Sequence, residues 1–192
     1  DDAPAVKEAP GIAALIGQLD NVLREPRFRS LTAIEVENVT LRYEDARVDR
    51  AWTVDGGRLA LTRSGSDLRV RGDFALLGGR DYATTLEMNY AGRIGETASE
   101  FGINIEDMPA REIAGQSPAL AWLEAMNAPI SGALRGSVDQ DGALGPLNAT
   151  LQIGEGVLQP TEVTKPIAFE SAQTYFTYDP ARQIIAFDDV VL

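Results

Sequence analysis

The sequence has no cysteine and no histidine. Without cysteine there are no disulfides and no thiolate zinc sites. That fits an oxidising compartment, which the chain would tolerate by having nothing to oxidise. Without histidine there is no Ser-His-Asp or Cys-His arrangement, and nearly all zinc catalysis goes too. Positive charge is scarce: 17 Lys and Arg stand against 29 Asp and Glu, a formal net charge of −12. Nucleic acid as a partner is excluded on that balance, because its phosphates need basic side chains. A basic patch docking on an anionic membrane surface is disfavoured for the same reason. No apolar run approaches the ~20 residues of a transmembrane helix. The chain opens on Asp1-Asp2 with no basic leader, and it stops inside the apolar run Val190-Val191-Leu192. Both ends read as cut, and the expectation is a segment of a longer protein.

What is present is alternation. From Ser66 to Ala91, Leu68, Val70, Phe74 and Leu76 occupy even positions, as do Tyr82, Leu86, Met88 and Tyr90. Arg69, Arg71, Asp73, Glu87 and Asn89 occupy the odd ones. A period of two places one apolar and one polar face on a strand. Gly78-Gly79 between the two runs predicts an antiparallel hairpin.

Most of the chain repeats this device. Residues 1–10 read as a Pro/Ala linker. Residues 11–25 predict an amphipathic helix on the stripe Ile12, Leu15, Ile16, Leu19, Val22 and Leu23, ended by Pro26. Strands are expected over 31–107. A phase slip at Glu37-Asn38 signals a β-bulge, and Asp55-Gly56-Gly57 signals a hairpin between Asp49–Val54 and Arg58–Thr62. Phe101, Ile103 and Ile105 share a phase in the strand Ser99–Asp107.

A helical insertion is expected near 108–127. Asp107 would cap a turn starting at Pro109, and Ser117 a second turn starting at Pro118. Leu120, Leu123 and Met126, flanked by Trp122, would form a short amphipathic helix. Strands resume over 130–192. Leu134 and Val138 share the phase of Ile130, and Asp141-Gly142 turns the chain. Leu147, Ala149, Leu151 and Ile153 then share a phase. A last hairpin joins Ile167–Tyr178 to Gln183–Val191 around Asp179-Pro180.

The predicted fold class is therefore mainly β with two short helical segments. Its body is a large curved antiparallel meander sheet, a groove or half-barrel, since consecutive strands with short turns pair in order. About ten strands at ~4.8 Å spacing span roughly 48 Å, and two helices ~10 Å across cover about 20 Å of it. A sheet this broad must curl, close on itself or leave apolar face open. An open apolar trough suits an acyl chain, because each buried methylene contributes ~0.8 kcal/mol.

The chemistry-bearing motifs have plain readings. Glu44-Asp45, Glu106-Asp107 and Asp188-Asp189 are acidic pairs, but neighbours on a strand point to opposite faces. Asp139-Gln140-Asp141-Gly142 resembles the opening of a calcium loop, yet Thr150 stands where the bidentate Glu belongs. Gly154-Glu155-Gly156 lacks the third glycine and the helix of a dinucleotide fingerprint. No catalytic residue, metal site or cofactor is predicted, and the chain is not expected to be an enzyme.

Three stretches carry a resemblance. They are Leu31–Asp45 (LTAIEVENVTLRYED), the hairpin Gly136-Ser137-Val138-Asp139 through Gly142-Ala143-Leu144, and the junction Ala119-Leu120-Ala121-Trp122-Leu123 through Ala128-Pro129-Ile130-Ser131-Gly132. In order and wording these are similar to the AsmA-like superfamily of Gram-negative envelope proteins, nearest the large YhdP/TamB-type members and their uncharacterised central domain. The similarity covers Leu31 to Leu192 and rests on turn glycines and alternating apolar residues.

The resemblance implies a periplasmic β-groove, anchored in the inner membrane by an N-terminal helix absent here, that moves phospholipid toward the outer membrane. The implied partners are phospholipid or another acyl-chain ligand, the remainder of the parent chain and the inner membrane. Candidate lipid-facing residues are Leu68, Val70, Phe74, Leu76, Leu86, Met88, Phe101, Ile103, Leu134, Val138, Leu151 and Ile153. Two rivals remain: a structural or interaction β module with a closed core, and a hydrolase built on a converging carboxylate pair.

Overall fold

A computed structural model describes residues 12–45, 50–77, 83–114, 118–161, 163–182 and 184–191. The expected linker, the Gly78-Gly79 turn with Tyr82, and the Ser117 cap lie outside the described residues. The chain begins with helix α1 (Ile12–Arg24), which stops before Glu25-Pro26 because a residue preceding proline is pushed out of the helical region. Strands β1 (Ala33–Asp45), β2 (Arg50–Ser64), β3 (Asp67–Leu77), β4 (Thr84–Arg93) and β5 (Ser99–Pro109) follow. Then come helix α2 (Ala110–Ala114), a 3-10 helix (Pro118–Ala125), β6 (Met126–Asn127), β7 (Pro129–Val138) and β8 (Leu147–Ile153). The chain ends with β9 (Gly156–Leu158), β10 (Ile167–Phe169), β11 (Ala172–Asp179) and β12 (Ile184–Val191).

Nine strands form one antiparallel sheet in the order β1-β2-β3-β4-β5-β7-β8-β11-β12, so the meander expected from short turns is the topology found. The sheet does not close into a barrel: β1 and β12 stand at opposite edges. A second, three-stranded sheet, β10-β9-β6, packs at one end.

Several local expectations are corrected. Asp55-Gly56-Gly57 is not a hairpin turn. β2 runs straight through it, and Gly56, in the left-handed region at φ 68°, makes a bulge instead. Two neighbours continuing on either side hold the strand extended there. β1 pairs past it with Val39 against Gly57, and the β3 register shifts between Asp55 and Arg58. The bulge expected at Asn38 is present, with φ 56°, facing the one in β2.

Asp107 is not a helix cap, because its φ of 56° is left-handed where an N-cap is extended. It sits in a β5 bulge, its N–H donating to Ser131 Oγ at 3.1 Å and its carbonyl accepting from Thr84 Oγ1 at 3.1 Å. The insertion comes in the two expected pieces, α2 and a second starting at Pro118, but the second is a 3-10 helix that stops at Ala125 instead of running past Met126. Met126 and Asn127 are drawn into pairing with Leu158 and Val157 of β9. The expected strand Ile167–Tyr178 is also two: it breaks at Glu170-Ser171, β10 joining the small sheet and β11 the large one. The turns at Asp139 and Asp179 are built as their composition suggests. Asp139 Oδ1 accepts the N–H groups of Asp141 and Ala143 at 2.9 and 2.8 Å, and Gly142 takes φ 84°. Asp179 Oδ1 accepts those of Ala181 and Arg182 at 3.0 and 3.1 Å.

The buried core is split. One part joins Leu23 of α1 to Leu61 and Leu68, with Leu19, Leu31, Val70, Tyr90 and Ile94 around it. The other joins Ala110, Ala114, Leu123, Met126, Ala128, Ile130 and Ile153 under the insertion and the small sheet. Within α1, Ile16 and Leu23 are buried and Val22, expected on the inner stripe, faces outward. The helix is pinned at its end, where Arg63 Nη1 donates to the carbonyl of Leu23 in the last turn and to that of Phe28 just beyond it, at 3.3 and 3.2 Å. The Gly95 N–H donates to Asp20 Oδ1 at 2.7 Å on the same side.

Candidate functional site: an apolar sheet face

Register decides which side chains share a face. Val36 of β1 lies opposite Leu59 of β2, and Leu59 opposite Gly72 of β3. Gly72 faces Met88, and Met88 faces Ile103. Ile103 faces Leu134, Leu134 faces Ala149, Ala149 faces Phe176, and Phe176 faces Phe187 of β12. This row crosses all nine strands without a charged or hydrogen-bonding side chain.

A second row runs beside it, from Ile34 through Leu61, Val70 and Tyr90 to Phe101 and Gly136. Leu147 and Phe101 both lie over Gly136, so Leu147 carries the row on to Tyr178 and Ile185. A third crosses Phe74, Leu86, Ile105, Gly132 and Leu151 to Thr174.

Glycine lets the tall side chains lie flat. A Cβ on Gly72 would come 2.6 Å from Phe74 Cε2 and 2.8 Å from Met88 Cγ. One on Gly57 would come 2.6 Å from the other edge of the same ring.

The covers sit at opposite ends of the strands. α1 lies on the end marked by Leu61 and Leu68, and the insertion and small sheet lie on the end marked by Ile130 and Ile153. Between them the first row is open: Val36, Leu59 and Met88 are exposed, Met88 at 38%, and Phe187 reaches 63%.

All twelve candidate residues fall on this face. Leu68, Val138 and Ile153 are buried by protein and offer no free surface, and Leu151 is half-buried against the second core. Val70 packs against the α1 core. Phe74, Leu76, Leu86, Phe101, Ile103 and Leu134 are half-buried and Met88 is exposed.

The face is wider than the candidate set. Val36, Leu59, Phe176 and Phe187 belong to the longest row and were absent from it. Their signal was present: the Asp179-Pro180 hairpin aligns Phe176 with Phe187, and their rings sit 5.8 Å apart. Reading a turn at Gly56 hid the phase of β2, and with it Leu59.

The opposite face is polar. It carries Arg58 bound to Glu37 at 2.8 Å, and Arg93 bound to Asp67 at 3.1 Å. Two shallow hollows of about 340 and 350 Å³ lie on it, meeting at Arg135 and Asn148. One contains Asp188 and the other Glu100 as its only carboxylate, so no acidic pair converges in either. Glu106 and Asp107 are exposed at a strand end. Among the described residues no cluster of acidic side chains suits a metal, and no helix is long and apolar enough to cross a membrane.

No family model, no curated protein and no solved structure matches this chain.

Proposed function

We propose that this chain is a groove segment of a bacterial envelope protein and offers a passive apolar track to phospholipid acyl chains. The observation that carries the reading is the row from Val36 to Phe187, apolar across nine strands and uncovered by described protein in its middle. Eight strand spacings of ~4.8 Å make the row about 38 Å long. An acyl chain spans half the ~30 Å hydrocarbon layer of a bilayer, about 15 Å, so the row exceeds one chain in length. At ~0.8 kcal/mol per buried methylene, a partly covered chain gains enough to bind without any polar contact. Nothing along the row would distinguish one headgroup from another, which suits carriage rather than recognition. The resemblance to AsmA-like proteins supports a periplasmic location and a role in outer-membrane integrity.

The test is binding of a fluorescent long-chain fatty acid to the chain and to Leu86→Asp, a substitution in the third row. The reading expects saturable binding and a loss of at least about tenfold in affinity, since an unpaired carboxylate on an apolar surface costs more than 1.4 kcal/mol. Unchanged affinity in Leu86→Asp contradicts it.

A further inference from the structure

The two edges of the large sheet are defended differently. β1 carries Glu35 and Glu37, both reached by Arg58 of β2 at 3.9 and 2.8 Å, and it is broken midway by the Asn38 bulge. Charge and a bulge are the devices that keep a free edge from accepting another strand. β12 has less of both. Its first four residues are Ile184, Ile185, Ala186 and Phe187, and Ile184, Ile185 and Phe187 are 54%, 50% and 63% exposed. Its one irregularity falls beyond them, where Asp188 is the extra residue between Phe187 and Asp189.

We infer that β12 is an acceptor edge for an antiparallel strand from a partner polypeptide, apolar on one face and basic on the other. Strand addition supplies main-chain hydrogen bonds, and alternate side chains set the specificity. On one face the added side chains would continue the two rows that end at Ile185 and Phe187. On the other they would meet Ile184, Ala186 and Asp188, and lysine or arginine is the complement at Asp188.

A second copy of this chain fits poorly. Strand directions alternate across the meander, so the first and ninth strands run the same way. A second copy's β1 could therefore pair antiparallel with β12 only with its apolar face turned to the opposite side. Pairing β12 with its own copy keeps the faces aligned but brings Asp188 and Asp189 of both chains together, each chain carrying a net charge of −12. The inference does not depend on what lies on the apolar face, and its test reads backbone protection rather than lipid.

Amide exchange of the whole chain is measured with and without a ten-residue peptide alternating valine and lysine, and with a valine–glutamate peptide as comparison. The valine–lysine peptide is expected to slow exchange in β12 by about tenfold or more and to leave β1 unchanged. The valine–glutamate peptide is expected to do neither, and Asp188→Lys is expected to reverse the preference. No slowing, equal slowing of β1 and β12, or an unreversed preference in Asp188→Lys overturns the inference. So does a dimer, seen by sedimentation without peptide, that Phe187→Lys dissolves, since self-pairing would then be the use of this edge.

Discussion

The Phe74 ring lies flat across Gly72, two residues before it on the same strand, and a Cβ there would come 2.6 Å from the ring. Met88 closes the other side of the site, with Cγ 2.8 Å from the same point. Substituting alanine must lift one of the two side chains off the sheet. Gly72→Ala is expected to cost about 1–3 kcal/mol, the range for overpacking. The urea midpoint should fall while the slope of the transition stays constant; an unchanged midpoint would mean that ring and thioether yield freely.

Leu23 is 2% exposed and anchors α1 on the sheet. Leu23→Ala removes about 2–5 kcal/mol of packing by the usual cost of a buried leucine. The effect should be local, because the second core shares no buried residue with the first. Amide exchange should rise across residues 12–24 by at least about tenfold while β7 and β8 keep their protection. Equal loss in both regions would show that the two cores unfold as one unit.

Tyr90 lies under α1 beside Ser99. Burial pushes its phenol above the ordinary 10.0; the hydrogen bond with Ser99 pulls it down by less, and the Asp20 carboxylate adds a smaller push upward. In the unfolded chain the phenol ionises near 10, whereas in the folded chain it holds its proton to higher pH. Its contribution is therefore complete below pH 10 and is lost as pH rises above it through the folded value. The stability difference between the wild-type chain and Tyr90→Phe should be flat up to about pH 9 and shift against the wild type beyond about pH 10. A difference independent of pH over that range contradicts the assignment.

Much of the fold was legible because a period of two is a local signal. The phase of Leu68 to Leu76 and of Leu86 to Tyr90, and the turn chemistry of Asp139 and Asp179, needed no tertiary knowledge. Where the sequence misled, a distant strand decided the outcome. Gly56 can serve a turn or a bulge equally well, and β1 and β3 on either side of it selected the bulge. Met126 continues a helical stripe, yet β9, some thirty residues on, claims it for a sheet. Leu68, Val138 and Ile153 alternate like their neighbours, and only the placement of the covering elements separates core from open face.

The most direct measurement of the central claim is paramagnetic broadening of methyl resonances by phosphatidylcholine spin-labelled within its acyl chain. Met88, Ile103 and Leu134 on the open row should broaden selectively. Ala91 and Ala133 on the polar face, and Leu23 and Leu123 in the two cores, should not. Broadening confined to the polar face, or spread evenly over both faces, would contradict an acyl chain lying on the row from Val36 to Phe187.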